Sequence, residues 1–223
     1  MAHNDFLILP SLTSGNLAAL GEEATRLQSI GFLHLDIEDG NFSPGITIGI
    51  DSIRHVRSYT DAELDAHLMV TNPEFYIEDL CACGVRAVAA HIESNRYPSR
   101  FLNQIRQAGM RPGLALNYKT PVDAVIPYLD LTDYILLLTS ESDCAGVGFK
   151  PYSIERVHAL RTLLPDKTEI WVDGGVDDGN LAALARAGAD RAVVGHALFA
   201  APDPAQKARE LCALVRAAKE DAE

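Results

Sequence analysis

The chain has 223 residues, 48% of them hydrophobic and 22% charged, the balance of an ordinary globular protein and too apolar for a disordered one. Its formal charge of −12 repels phosphate backbones and anionic lipid, which weighs against nucleic acids and membrane surfaces as partners. No apolar run approaches the roughly 20 residues of a membrane span, and the start, MAHNDFLILPSL, lacks the basic and long apolar segments of a signal peptide, so a cytoplasmic location is expected.

In chain order, short runs rich in Val, Ile and Leu predict strands at 6–10, 32–36, 63–68, 86–91, 112–116, 134–139, 169–173 and 191–195. The amphipathic stretches between them predict helices at 16–30, 73–83, 98–108, 121–129, 153–164, 178–187 and 204–219. Gly31, Gly84, Gly109 and Gly188 each stand just past a predicted helix and just before a strand, where a left-handed residue closes a helix. Continuous apolar strands alternating with helices argue a parallel sheet buried on both faces. Eight such units are the count of a single (β/α)8 TIM barrel, read as one domain over 1–223. A doubly wound open sheet is the alternative. It would carry a glycine-rich turn after its first strand, where this chain has Pro10-Ser11-Leu12-Thr13-Ser14-Gly15-Asn16.

The four cysteines, Cys81, Cys83, Cys144 and Cys212, have neither the number nor the spacing of a disulfide framework. Residues i and i+2 of a helix face different sides, so Cys81 and Cys83 are expected to be inert thiols, buried or half-buried. Chemistry belongs at the C-terminal ends of the barrel strands. There the second strand ends His34-Leu35-Asp36, the third Asp65-Ala66-His67 and the seventh Val172-Asp173-Gly174-Gly175. Side chains alternate along a strand, so His34 and Asp36 share a face and Leu33 and Leu35 take the other. A histidine and an acid inside a barrel cost free energy unless something satisfies them. Any one of these four groups alone reads as a core polar residue paired with a neighbour. His34, Asp36, His67 and Asp173 together at strand ends read as ligands of one divalent cation such as Zn²⁺, Mn²⁺ or Fe²⁺. His3, His55 and His158 are expected at the surface, and Trp171 is expected to pack against helices.

The segments ILPSLTSGN (8–16), LHLDIEDGNFSPGITIG (33–49), HLMVTNPEFYIEDL (67–80), GLALNYKTP (113–121), VDGGV (172–176) and VVGHALF (193–199) resemble the ribulose-phosphate 3-epimerase family, in order and spacing, from about residue 8 to about residue 200. The resemblance implies a metal-dependent TIM barrel that inverts carbon 3 of a ketose phosphate, with Zn²⁺ the first expectation and Mn²⁺, Fe²⁺ or Co²⁺ the alternatives. By position it implies His34, Asp36, His67 and Asp173 as metal ligands, with Asp36 and Asp173 as the acid/bases on the two faces of the substrate. Ser11 and His67 match substrate-contacting residues. Gly146, Gly174, Gly175, Gly195 and His196 match places where the phosphate is held. The family resemblance also implies a homo-oligomer, consistent with an acidic barrel with exposed helix faces. The chemistry is coherent in itself: a C–H next to a ketone is a poor acid, a cation bridging the two oxygens stabilises the enediolate, and inversion needs a base on each side.

The chain departs from the family pattern in two places. Where the family has the phosphate loop Pro-Gly-Phe-Gly-Gly-Gln, this chain has Ser142-Asp143-Cys144-Ala145-Gly146-Val147, and Asp143 puts a carboxylate where an anion would be cradled. Like charges a few ångströms apart cost about 1 kcal/mol even at the dielectric of water. In the loop after the second strand Glu38 replaces a methionine and Gly45 an asparagine. Glu38, Met69 and Asp143 are the expected determinants of specificity, so a substrate other than ribulose 5-phosphate, with more hydroxyls or a cationic group facing Glu38, is one reading. A solvated Glu38 and a turn-capping Asp143 are the other, and His196 and Lys150 would return positive charge to the distal end. The family has a similar histidine where His91 ends the fourth strand, so the resemblance implies a place for it in the wall of the site or behind its ligands. Two other functions compete: an enediolate-forming lyase, whose Asp-x-Lys-x-x-Asp element is not matched by Asp36-Ile37-Glu38-Asp39-Gly40-Asn41, and a sugar-binding barrel without catalysis.

Overall fold

The eight apolar runs form one all-parallel sheet: β1 (Leu7–Pro10), β2 (Phe32–Glu38), β3 (Glu63–Met69), β4 (Val85–His91), β5 (Arg111–Leu116), β6 (Tyr134–Leu138), β7 (Glu169–Asp173) and β8 (Arg191–Val194). The computed structural model describes residues 6–141 and 148–220. Each strand pairs with its sequence neighbour, and β1 pairs with β8. A bridge between Ser11 and His34 brings β1 against β2, so the sheet curls into a nearly closed barrel. Helices α1 (Leu20–Leu27), α2 (Ile50–Arg57), α3 (Ile77–Ala82), α4 (Pro98–Gln107), α5 (Ser153–Leu163), α6 (Leu181–Ala187), α7 (His196–Phe199) and α8 (Pro204–Glu220) are interleaved with the strands. This is the (β/α)8 TIM barrel expected from the alternation.

The sequence-predicted helices differ from the observed ones in defined ways. The segment 121–129 is a 3-10 helix over Val122–Tyr128. Pro127 lies inside it, and a proline there removes a backbone donor that an α-helix needs. The stretch 16–30 is broken into a 3-10 turn, α1 and a second 3-10 turn. α2 and α7 were in none of the predicted ranges. Glycine closes the helices as read: Gly31 and Gly188 have φ of 83° and 115°, which an L side chain rarely adopts.

Alternation along the strands sorts the core. Leu33, Leu35 and Ile37 of β2 and Leu64, Ala66 and Leu68 of β3 point outward into a cluster with Ile53, Val56 and Leu80 of the surrounding helices. Leu9, Ala87, Ala89, Ala115, Tyr134, Leu136, Trp171 and Val193 point inward. Trp171 is therefore inside the barrel and not against the helices, a correction that follows from period two, since it shares a face with Asp173. Its ring stacks on Tyr134 with centroids 3.9 Å apart. A Cβ at Gly113 would approach the Tyr134 ring to 2.3 Å, so glycine there makes room for the stack. These two rings fill the lower barrel and leave its upper layer to polar residues.

Candidate active site

At the C-terminal ends of the strands a cavity of about 940 Å³ opens between the loops after β1, β2, β6, β7 and β8. Its floor is built by register. β2 pairs Asp36 with His67 and His34 with Asp65 on β3, so the inward side chains of these two strands stand beside one another. Asp173 ends β7, which is separated from β2 by β8 and β1. The ligand atoms of His34, Asp36, His67 and Asp173 all lie within 4.8 Å of one another. The four residues expected to converge do so. His34 and His67 are buried, and the two carboxylates keep 13% and 17% of their side-chain surface.

Each imidazole is oriented from behind. Nδ1 of His34 is 2.5 Å from Asp65 Oδ1, and its Nε2 is 3.2 Å from Asp36 Oδ1. Nε2 of His67 is 2.9 Å from Nε2 of His91, whose Nδ1 is 3.2 Å from Glu93 Oε2. Glu93 in turn accepts from the Asn117 backbone N–H and the Thr120 hydroxyl. Burial pushes His91 down to about 4 against the pull of Glu93, so this ring is neutral. Its Nδ1 donates to Glu93, its Nε2 accepts from His67, and the lone pair of a neutral His67 is left on Nδ1. That nitrogen is buried without a hydrogen-bond partner, 3.4 Å from both Asp36 Oδ1 and Asp173 Oδ2.

The donor set fits a divalent cation. Two imidazole nitrogens and two carboxylates facing a common point suit Zn²⁺ and its neighbours in the first transition row. The electrostatics agree. Burial disfavours charge on His34, but the carboxylates of Asp65 and Asp36 outweigh it and hold its pKa well above the ordinary imidazole value. His67 is likewise raised by Asp173 and Asp36 against burial. Burial works against an ionised Asp36, and the two imidazoles outweigh it and hold the carboxyl well below the usual range. Positive charge is stabilised here, as protons or as metal.

Ser11, just past β1, donates to Asp36 Oδ2 at 2.6 Å, and Thr13 donates to the same oxygen at 3.1 Å. Gly174, Gly175, Gly195 and His196 line the far side of the cavity. A Cβ would come within 2.3 Å of the Ser140 hydroxyl at Gly174, 2.6 Å of the Phe149 nitrogen at Gly175 and 2.1 Å of the Ser14 hydroxyl at Gly195. The glycines let the loop after β7 close on the loop after β6, and the loop after β8 on the loop after β1. Glu38 is the last residue of β2 and not part of the loop. It faces Met69 in register, and both line the cavity. Asp143, Gly146 and Cys144 lie outside the described residues. His55 and His158 are exposed, as expected. Cys81 is exposed where a buried or half-buried thiol was expected. Asp65 is the functional neighbour to which the sequence reading gave no role, although alternation places it on the same face as His67.

A profile of the ribulose-phosphate 3 epimerase family matches residues 7–199. The cytoplasmic isoform of ribulose-phosphate 3-epimerase from Oryza sativa subsp. japonica is 39% identical over 205 residues, covering 89% of this chain and 90% of the relative. The ribulose-phosphate 3-epimerase of Aquifex aeolicus is 35% identical over 217 residues, covering 95% and 98%. Among solved structures, orotidine 5'-phosphate decarboxylase from Pyrococcus horikoshii superposes with a TM-score of 0.70 at 16% identity, over 94% of this chain and 99% of that one. The 3-hexulose-6-phosphate synthase from Salmonella typhimurium does so with a TM-score of 0.68 at 18% identity, over 96% and 99%. At such identity these two likenesses speak for the barrel and not for an activity. Family profile and full-length relatives agree: the chain belongs to the ribulose-phosphate 3-epimerase family, a family of isomerases.

Proposed function

We propose that the protein inverts carbon 3 of a ketose phosphate of the ribulose 5-phosphate/xylulose 5-phosphate type, with a divalent cation held by His34, Asp36, His67 and Asp173. The observation that carries this reading is that Asp36 and Asp173, from two strands three steps apart round the barrel, flank the same buried His67 nitrogen at 3.4 Å. When bound, the cation supplies positive charge beside the carbonyl and hydroxyl oxygens of the substrate, making the carbon 3 proton acidic.

The rest is the work of the chain. Asp36 takes or returns the proton on one face of carbon 3, and Asp173 does so on the other. Ser11 and Thr13 fix the outer oxygen of Asp36, so that the carboxylate is aimed before substrate arrives. Asp65 fixes His34, and the Glu93–His91 pair fixes His67. Leu138, Val193 and Val176 give the cavity apolar wall, which strengthens the electrostatic interactions inside it. The backbone N–H groups at Gly174, Gly175, Gly195 and His196 receive the phosphate. The protein acts as a homo-oligomer in the cytoplasm in this reading. No helix among the described residues is long and apolar enough to cross a membrane.

The test is solvent exchange. In deuterated water with ribulose 5-phosphate, the metal-loaded protein incorporates deuterium at carbon 3 and forms xylulose 5-phosphate. Chelation abolishes both, and adding back one equivalent of cation restores them. Absence of exchange at carbon 3 with every ketose phosphate tried refutes the proposal.

A further inference from the structure

Three inward residues succeed one another along β2 at intervals of two: His34, Asp36 and Glu38. Glu38 therefore stands one layer above Asp36, about 6–7 Å further toward the mouth, beside Met69. Its carboxylate is held there by the chain that follows. Ser43 donates to Oε1 at 2.9 Å. Thr47 accepts from the Glu38 backbone N–H at 3.0 Å and donates to the Asp36 carbonyl at 2.5 Å, pinning the strand end. A Cβ built on Gly45 would come 2.1 Å from Oε2 and 2.9 Å from Cδ of Glu38. The acid at 38 and the glycine at 45 are thus one feature: the carboxylate occupies this place because residue 45 has no side chain.

The cavity this carboxylate faces is anionic. Asp36, Glu141, Asp173 and Asp177 also line it, and no lysine or arginine is among its described lining residues. These acids stand on both sides of the cavity, Asp36 and Glu38 on β2 and Glu141, Asp173 and Asp177 at and after β6 and β7, so it is the backbone N–H groups at Gly174, Gly175, Gly195 and His196, and not side-chain charge, that place the phosphate in the epimerase reading. The end of the substrate remote from phosphate then lies toward Glu38, whose carboxylate accepts hydrogen bonds and donates none. We propose that Glu38 determines specificity by accepting a hydrogen bond from the hydroxyl on carbon 1 of the ketose phosphate, so that the protein selects substrates hydroxylated at that end over deoxy ones. The proposal rests on the epimerase reading above and adds to it the recognition of the carbonyl-side terminus.

A hydrogen bond to a charged group that is lost from a desolvated site costs about 10- to 100-fold in kcat/KM. The comparison is xylulose 5-phosphate against 1-deoxyxylulose 5-phosphate, with kcat/KM for carbon 3 inversion and dissociation constants from calorimetry. The parent protein favours the hydroxylated compound by that factor. Glu38→Met and the isosteric Glu38→Gln reduce the preference, the former to near unity, by lowering kcat/KM on the hydroxylated compound and leaving the deoxy one little changed. Gly45→Ala, which keeps the glutamate but puts a Cβ where its carboxylate lies, displaces that carboxylate and reduces the preference as well. An undiminished preference in Glu38→Met, or no preference in the parent, overturns the proposal. Turnover of neither compound overturns the epimerase reading instead, and the ratio of dissociation constants across the same variants then decides the role of Glu38 separately.

Discussion

Asp65 Oδ1 lies 2.5 Å from Nδ1 of His34, and this contact decides which imidazole nitrogen faces the cluster. With Nδ1 donating to the carboxylate, the lone pair of His34 is on Nε2, 3.2 Å from Asp36 Oδ1. Carboxylates behind a metal-binding histidine are worth about 10- to 100-fold in metal affinity. Asp65→Asn is expected to weaken cation binding by that factor while the far-ultraviolet circular dichroism stays unchanged. Competition against a chromophoric chelator measures it.

The pH dependence of metal loading follows from the same charges. His34 and His67 are both held above the ordinary imidazole pKa, and a cation must displace their protons. Affinity is therefore at its full value above those raised pKa values and falls as pH drops through them. One proton lost per cation gives about a 10-fold change per pH unit, and two give about 100-fold. Calorimetry in buffers of different ionisation enthalpy is expected to show net proton release on binding near neutral pH. Binding without proton release would place the cation on other groups.

Ser11 serves Asp36 rather than standing free in the cavity, since its hydroxyl donates to Asp36 Oδ2 at 2.6 Å. Ser11→Ala removes one of two hydroxyls on that oxygen and leaves Thr13. A fall of about 10-fold in kcat/KM is expected, the lower end for a hydrogen bond to a charged group. Bound metal, measured by plasma mass spectrometry, is expected to stay at one per chain.

At the opposite end of the barrel Glu169 accepts from Trp171 Nε1 at 2.7 Å and from Arg191 Nε at 2.9 Å, with Arg111 at 3.1 Å. Burial pushes this carboxyl up, but the Trp171 hydrogen bond and the two arginines outweigh it and hold it below the usual range. A carboxyl lowered on folding contributes stability that is fully present above its unfolded pKa, about 4.3, and is lost as pH falls through the lower folded value. Glu169→Gln is expected to cost about 1–3 kcal/mol at pH 7, a difference that shrinks on acidification below pH 4. Urea denaturation at the two pH values checks it.

The legible part of this fold was the part fixed by local pattern. Alternation along β2 puts His34 and Asp36 on one face, and the strand ends bring together four candidate ligands from three strands. What the pattern did not carry was register. Asp65 lies opposite His34 because β2 and β3 pair in one alignment out of several, and sequence spacing within one strand does not encode it. Glu38 reads as loop because β2 runs on to residue 38, and the seating of its carboxylate where Gly45 lacks a side chain joins two residues that no strand or helix period relates. Trp171 lies inside the barrel and not against the helices, as the period-two rule that places Asp173 also requires. The 3-10 helix over Val122–Tyr128 shows proline overriding an amphipathic pattern.

The two-carboxylate mechanism separates proton removal from inversion, and Asp173→Asn separates them by experiment. With metal content matched to the parent protein, this variant in deuterated water is expected to exchange the carbon 3 proton of one epimer through Asp36. Conversion to the other epimer is expected to fall at least about 1,000-fold, within the range that a positioned acid/base supplies. Inversion by metal-loaded Asp173→Asn at the rate of the parent protein would contradict the assignment of the second face to Asp173, and with it the account of how this barrel works.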